Sequence, residues 1–413
     1  MGRTDAAAEA SEAPQQELDD EWCRHHFDHL SPALAADLTG TLARMRSMCP
    51  VAHSDQYDGF WVATGYEDVL KVAQDWGTYS SAHGLTVPRA PIAVRNLPVE
   101  VDPPLHREYK RLINAYFTPA AVAPWEERTR RLVTSLIDAF IGRGSCDFMA
   151  DFARPYPALS FFDVALNAPP DDVEKVAYMA SKSSIPNDPE AAACWTGLSE
   201  WIRSFVAERR AGPPKGDVVD GVVNAQVEGR PITEDEIIGI LQLLILGGLE
   251  TTAGALGMMM IRLCEHPEVV ALLRDQPERI PEAVEELLRL DPPFIAITRT
   301  AMHEADLGGQ RIAAGEKVIV SWASANRDEA QFEAADAFDP ARKANRHLAF
   351  GAGPHRCAGS NLARMNLRIA LSELVTRLGD LRLQPGADVR YHTTFTRAPL
   401  TVPITFAAGA TAG

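Results

Sequence analysis

Positive charge is what this chain is short of: 40 lysines and arginines stand against 56 aspartates and glutamates, a formal net charge of -16. That balance excludes general nucleic-acid binding while leaving room for a local basic patch that faces an acidic protein. Paired cysteines are missing as well. Six cysteines, at 23, 49, 146, 194, 264 and 357, form no CxxC and no regular spacing, so neither a zinc site nor a disulfide framework is indicated and a reducing, cytoplasmic setting fits. The opening residues lack the basic head and apolar run of a secretory signal. Residues 1–18 read as a flexible acidic tail. No internal repeat or low-complexity linker divides the remainder, so 19–413 is expected to be a single domain. The hydrophobic fraction of 46% and charged fraction of 23% are those of an ordinary soluble globular protein.

One apolar run, LQLLILGGLETTAGALGMMMI at 241–261, is long enough to span a bilayer. Glu250 at its centre would cost about 2.5 to 3.5 kcal/mol there, and no second span shares the burden. A helix through the core is the better reading, with no membrane. It should start at Thr233, because Thr233 and Glu236 have the spacing of a capping box. Gly247 and Gly248 each cost roughly 1 kcal/mol against alanine, so the pair implies close packing or a local distortion. Glu250 and Thr251 follow among apolar neighbours, where a carboxylate needs a partner or a proton. Periodicity predicts further helices over 125–141, 195–211 and 281–290. Short β-branched runs near Phe60, Val318 and Ile404 predict small strands. The fold class is therefore α+β, predominantly α-helical.

Cys357 sits between a glycine-rich turn and a helical segment in HLAFGAGPHRCAGSNLARMNL. A helix N-terminus favours an anion and hence a thiolate, whereas a free cysteine elsewhere is usually a buried core residue. Three uses of a thiolate are open. A nucleophile needs a base, and His355 two residues away is badly placed to serve. Zinc needs three more ligands, for which His347, His355 and His392 have no common spacing. Haem iron needs one protein ligand on that side.

The segment FGAGPHRCAG, 350–359, resembles the haem-binding signature of the cytochrome P450 family. Further resemblances follow in order: DPPLHREYKRL at 102–112, GGLETT at 247–252, EELLR at 285–289 and FDPAR at 338–342. The resemblance implies a P450-like fold with a long central distal helix, and haem b bound through Cys357. Phe350 and Gly359 would shape the cysteine loop around the haem, and His106, Lys110, Arg299 and His355 would meet its propionates. Lys110 replaces the family's usual arginine with a point charge. Glu286, Arg289 and Arg342 would form an internal ion network.

The same resemblance implies a monooxygenase that uses O2 as co-substrate, with Thr251 steadying oxygen and water and Glu250 feeding protons. Substrate would meet Leu244, Gly248, Phe294, Ile295, Ile297 and Phe395, together with segments 82–99 and 181–189. That apolar lining suits a small to medium terpenoid or aromatic, to be hydroxylated, epoxidised or demethylated. A carboxylate could also meet Arg89 or Arg95. Electrons would come from NAD(P)H through a ferredoxin reductase and a ferredoxin, docking on basic residues such as Arg111, Lys343 and Arg364. The alternatives are a peroxide-using or isomerase/dehydratase relative, and a haem-binding sensor without turnover.

Overall fold

The apolar run at the middle of the sequence becomes one unbroken 32-residue helix, Glu234–Glu265, about 48 Å long at 1.5 Å per residue. The computed structural model describes residues 18–89, 92, 94–183, 185 and 188–408, so 1–17 of the expected tail lie outside the described residues. The helices that position the site are α1 (Tyr66–Gln74), α2 (Leu105–Asn114), α3 (Glu126–Ile141), α4 (Pro155–Phe161), α5 (Val173–Ser183), α6 (Ala191–Ala211), α7 (Glu234–Glu265), α8 (Ile280–Leu290) and α9 (Ser360–Arg377). The predicted helix at 195–211 begins four residues earlier, at Ala191.

The capping box is formed: the Glu236 N–H donates to Thr233 Oγ1 at 3.3 Å, and the Thr233 N–H donates to the Glu236 carboxylate at 2.7 Å. Glu236 also accepts from Arg230 at 2.7 and 2.9 Å and from the Tyr109 hydroxyl, which ties α2 to the start of α7. α7 then runs between α4, α6 and α9. Its Ile237, Ile240, Leu256, Met260 and Leu263 are fully buried, each stabilising the fold by about 1.5–3 kcal/mol. Burial of most of its apolar side chains inside the protein accounts for a helix of this length and hydrophobicity.

The strand segments assemble into a five-stranded sheet in which β1 (Val51–Ser54), β2 (Phe60–Ala63), β3 (Tyr79–Ser80), β4 (Ala296–Ala301) and β5 (Lys317–Ser321) lie in the order β1-β2-β5-β4-β3. β5 pairs parallel with β2, Ile319 opposite Val62, and antiparallel with β4, Ile319 opposite Thr298. The predicted C-terminal strand, Pro403–Ala408, sits between Leu378–Leu383 and Ser145–Asp147 in a smaller sheet. Long helices with small sheets are the α+β, mainly helical arrangement expected.

Inside this frame lies a network of buried charge. Glu286 and Arg289, one turn apart on α8, are both 0% exposed. Arg289 donates from Nε and Nη2 to the two Glu286 oxygens at 2.7 and 2.8 Å, and from Nη1 to the carbonyls of Asn326 and Ala335 at 2.8 and 2.6 Å. Arg342 Nε, the Asp339 N–H and Asn345 Nδ2 donate to the same carboxylate at 3.0 to 3.1 Å. Removing one member of such a network strands a charge in the interior. Arg289→Met is therefore expected to lose about 3–5 kcal/mol of stability, measured as a lower urea midpoint, and a midpoint equal to wild type would refute the network's structural weight.

Candidate active site

The cysteine loop is held from four sides. Gly351 and Gly353 adopt φ +68° and +65°, in the left-handed region that favours glycine, and Gly353 lies so close to the Ala73 carbonyl at the end of α1 that a side chain would collide. The Leu348 N–H donates to Asn326 Oδ1 at 2.6 Å, and the Tyr66 hydroxyl donates to the Arg346 carbonyl at 2.8 Å. From α2, Lys110 Nζ donates to the Pro354 carbonyl at 3.2 Å and to that of Arg356. The loop closes on itself where the Cys357 N–H donates to the Phe350 carbonyl at 2.8 Å.

Cys357 lies three residues before the start of α9 and remains accessible to solvent. Although the residue reaches the surface, the protein packed around it desolvates the thiol and pushes it up, against the lowering expected from its place before a helix; a hydrogen bond from the Gly359 backbone and the charges of Lys110, Arg356 and Arg364 oppose that rise. A Cβ at Gly359 would stand 3.9 Å from the sulfur, an ordinary van der Waals contact.

Beside the loop two buried basic side chains, His106 and Arg299, meet the half-buried His355 of the loop itself. His106 on α2 is 2% exposed and neither of its ring nitrogens has a hydrogen-bond partner. Its ring centroid lies 4.2 Å from that of His355, whose Nε2 meets Ser81 Oγ at 3.1 Å and whose Nδ1 is unpartnered. Arg299 on β4, 3% exposed, donates from Nη1 to the Thr298 carbonyl at 2.8 Å. Burial lowers Arg299 to about 10, partly offset by Asp102. Burial lowers His106 to about 4, helped by the Lys110 charge, and lowers His355 to about 2, helped by Arg299. A cluster of unpartnered donors and one desolvated guanidinium calls for an anion. Two carboxylates on a flat macrocycle, next to a thiolate, satisfy that demand, so the residues present fit haem.

The distal side is set by α7. Among its deeply packed residues Gly247 stands exposed, and a Cβ there would meet nothing within 4 Å. Leu244 and Thr251, three and four residues away, are half-buried and share that face. Gly248, expected to touch substrate, is instead packed on the Phe161 ring of α4, where a Cβ would come within 3.1 Å. The glycine pair thus produces close packing on one side and an open face on the other, with no break in the helix. Thr251 Oγ1 donates to the Gly247 carbonyl at 2.7 Å. Glu250 has its carboxyl raised by burial, moderated by the Ser181 side chain and the Arg154 charge.

The remaining expected residues divide. Phe294 is half-buried where two apolar clusters meet, while Ile295 and Phe395 lie within the N-terminal cluster around Phe60, and Ile297 lies in the sheet cluster around Tyr79. The Ile295 N–H donates to the Phe395 carbonyl at 2.8 Å, joining two of these wall segments. Arg89 and Arg95 are exposed. Of the two pocket segments, residues 90, 91, 93, 184, 186 and 187 lie outside the described residues. Lys110, expected at a propionate, donates to the carbonyls of Pro354 and Arg356 in the cysteine loop. Arg364, expected at a docking surface, is bound to Glu285 through both oxygens at 2.7 Å. Sequence reasoning missed Ser81, Asp102 and Glu285. Asp102 was visible as the acid that opens DPPLHREYKRL, and Glu285 as the first carboxylate of EELLR.

A cysteine on a glycine-rich loop, a basic cluster beside it and a long helix carrying an acid and an alcohol are the parts that a haem-thiolate oxygenase requires. A family model described as "Cytochrome P450" matches residues 180–392. Cytochrome P450-terp from Pseudomonas sp is 30% identical over 388 residues, covering 86% of this chain and 90% of that protein. Linalool 8-monooxygenase from Pseudomonas putida is 31% identical over 358 residues, covering 81% and 87%. A solved mutant of P450 EryK in complex with erythromycin B superposes with TM-score 0.82 at 30% identity, covering 92% of this chain and 99% of that one. The chain belongs to the cytochrome P450 family and is a monooxygenase that uses haem b, a cysteine thiolate and O2.

Proposed function

We propose that Cys357 is the axial thiolate and that Arg299, His106 and His355 bind the cofactor's carboxylates, a reading carried by the unpartnered buried donors beside Cys357. Haem bound there supplies O2 activation. Phe350 and Gly359 keep the loop narrow enough for the sulfur to stand clear. On the opposite side Thr251 presents a hydroxyl on the open face of α7 and can exchange its bond to the Gly247 carbonyl for one to a water. Glu250 keeps its proton at higher pH than an ordinary carboxyl and so can pass it inward. Cys357→Ser is expected to abolish the absorption band that marks a thiolate ligand in the reduced, carbon-monoxide-bound protein; retention of that band would refute the assignment. Thr251→Ala should keep that band yet divert most reducing equivalents to hydrogen peroxide, a severalfold fall in product per NAD(P)H consumed, and unchanged coupling would refute the relay.

The substrate we infer is a small to medium apolar terpenoid or aromatic. Leu244, Phe294, Ile295, Ile297 and Phe395 are the apolar side chains that this reading assigns to the substrate, and the relative named linalool 8-monooxygenase supports the terpenoid class. Titrating both classes while following the haem Soret band reads this out, and a protein that responds to neither overturns it. The free cysteines fit a cytoplasmic enzyme.

For electron delivery we propose an acidic ferredoxin. Arg111, Lys343 and Arg356 are exposed, and Arg356 neighbours Cys357. On a chain of net charge -16, such a basic patch would orient an acidic donor while the remaining surface repels it. Raising the salt concentration from 0.1 M to 1 M shortens the Debye length from about 10 Å to about 3 Å. The reduction rate should therefore fall about tenfold or more over that range and fall similarly in Arg111→Glu and Lys343→Glu. Rates indifferent to both salt and charge reversal would exclude this docking surface.

A further inference from the structure

Glu285 and Glu286 are neighbours on α8, yet their side chains serve different partners. Glu285 accepts from Arg364 Nε at 2.7 Å on one oxygen and from Arg364 Nη2 at 2.7 Å on the other, and its second oxygen also meets His347 Nε2 at 3.1 Å. These partners hold its carboxyl down, to about 2, against the opposing effect of burial. The Arg364 guanidinium lies over the Phe350 ring, 4.3 Å from its centroid. The carbonyl of that same Phe350 accepts the Cys357 N–H at 2.8 Å. A direct path of contacts therefore joins Glu285 to Cys357 through Arg364 and Phe350. The Arg364 charge therefore lies against the residue whose carbonyl holds the Cys357 N–H.

A bidentate fork fixes the plane of a guanidinium, and stacking on an aromatic face fixes its position. Arg364 thus has one orientation, set by Glu285 on one side and Phe350 on the other. The two side chains are about a quarter exposed, which leaves their charges less screened than surface charges. Together they are close to neutral. Alone, either would place a unit charge beside the cysteine loop, positive from Arg364 or negative from Glu285.

We propose that Glu285 and Arg364 form a positioning pair for Cys357, holding the Phe350 carbonyl on the Cys357 N–H and balancing the electric field at the sulfur. The proposal rests on Cys357 being the iron ligand. Its consequence is a sign rule: an unpaired cation near the thiolate draws electron density from the iron and favours the ferrous state, and an unpaired anion does the reverse. A pair that merely braced the fold would give no such rule.

The test is the ferric/ferrous reduction potential of the haem-loaded enzyme, with the rate of haem transfer to an excess of apomyoglobin measured alongside. Glu285→Gln should raise the potential and Arg364→Gln should lower it. Each change is expected to shift the one-electron equilibrium by up to about tenfold, equivalent to about 59 mV. Glu285→Gln combined with Arg364→Gln should return close to wild type in potential while losing haem faster, because charge balance is restored and the stack is not. Arg364→Lys keeps the charge but loses the fork, so its potential should stay near wild type while its haem leaves faster. If Arg364→Gln does not retain haem, Glu285→Gln and Arg364→Lys still decide: a raised potential in the first with an unchanged one in the second supports the pair. Shifts of the same sign in both single charge deletions, or no shift in folded, haem-loaded variants, overturn it. A wild type whose reduced carbon-monoxide complex lacks the thiolate band overturns the ligand assignment and the pair together, whereas a normal band with unresponsive variants overturns the pair alone.

Discussion

The Glu286 carboxylate is the constraint on which the cysteine side of this molecule depends. It is fully enclosed, and an isolated carboxylate in such a place would cost several kcal/mol. What makes it tolerable is the number of donors on its two oxygens: Arg289, Arg342, Asn345 and the Asp339 N–H. Three of those donors come from the chain between β5 and the cysteine loop, which has little regular structure of its own. Satisfying one buried charge therefore gives a long irregular segment a single path. Arg289 extends this to the carbonyls of Asn326 and Ala335, while the Asn326 side chain accepts the Leu348 N–H at the entrance to the loop. The position of Cys357 is thus inherited from a carboxylate on α8, through a series of hydrogen bonds that are individually ordinary.

α7 solves the opposite problem. A helix buried on every side is stable but offers nowhere for a reaction to occur, so one face must be opened without breaking the backbone ladder. Two glycines do this at about 1 kcal/mol each. Gly248 lets α4 approach until the Phe161 ring touches the helix, and Gly247 leaves the neighbouring face clear. The Thr251 hydroxyl then satisfies the Gly247 carbonyl a second time from the side. The space near the chemistry is obtained by removing side chains, and the helix stays continuous from Glu234 to Glu265.

Much of this was legible before any coordinates. Regular elements could be read because their signals are local: the capping box at Thr233, the apolar period of α7 and the β-branched runs of β2 and β5 all lie within a few residues. The cysteine loop was legible through its resemblance, which compresses a three-dimensional arrangement into a short motif. What could not be read was the allocation of charges. Arg364 and Lys110 look like surface cations in sequence, and only the folded chain brings Glu285 to the first and the carbonyls of Pro354 and Arg356 to the second. Gly247 and Gly248 are equally ambiguous, because nothing in the sequence says which of two adjacent glycines faces Phe161.

Buried charge therefore carries two meanings here, and hydrogen-bond satisfaction separates them. Glu286 and Arg289 are enclosed and fully partnered, which marks them as structure. His106 and His355 keep ring nitrogens without partners beside the buried Arg299, and desolvation together with the neighbouring cations makes both rings hard to protonate. Isolation alone would not carry that meaning: His29 is also buried with both nitrogens unpartnered, but it sits among Tyr57, Phe60 and Phe395 with no cation beside it, and burial lowers it to about 4, where it remains neutral at ordinary pH. A single neutral ring costs the fold a hydrogen bond or two. One desolvated guanidinium, Arg299, with unpartnered ring nitrogens of two neutral histidines around it and a single acid, Asp102, nearby, is a place beside the cysteine loop where an added anion would gain partners.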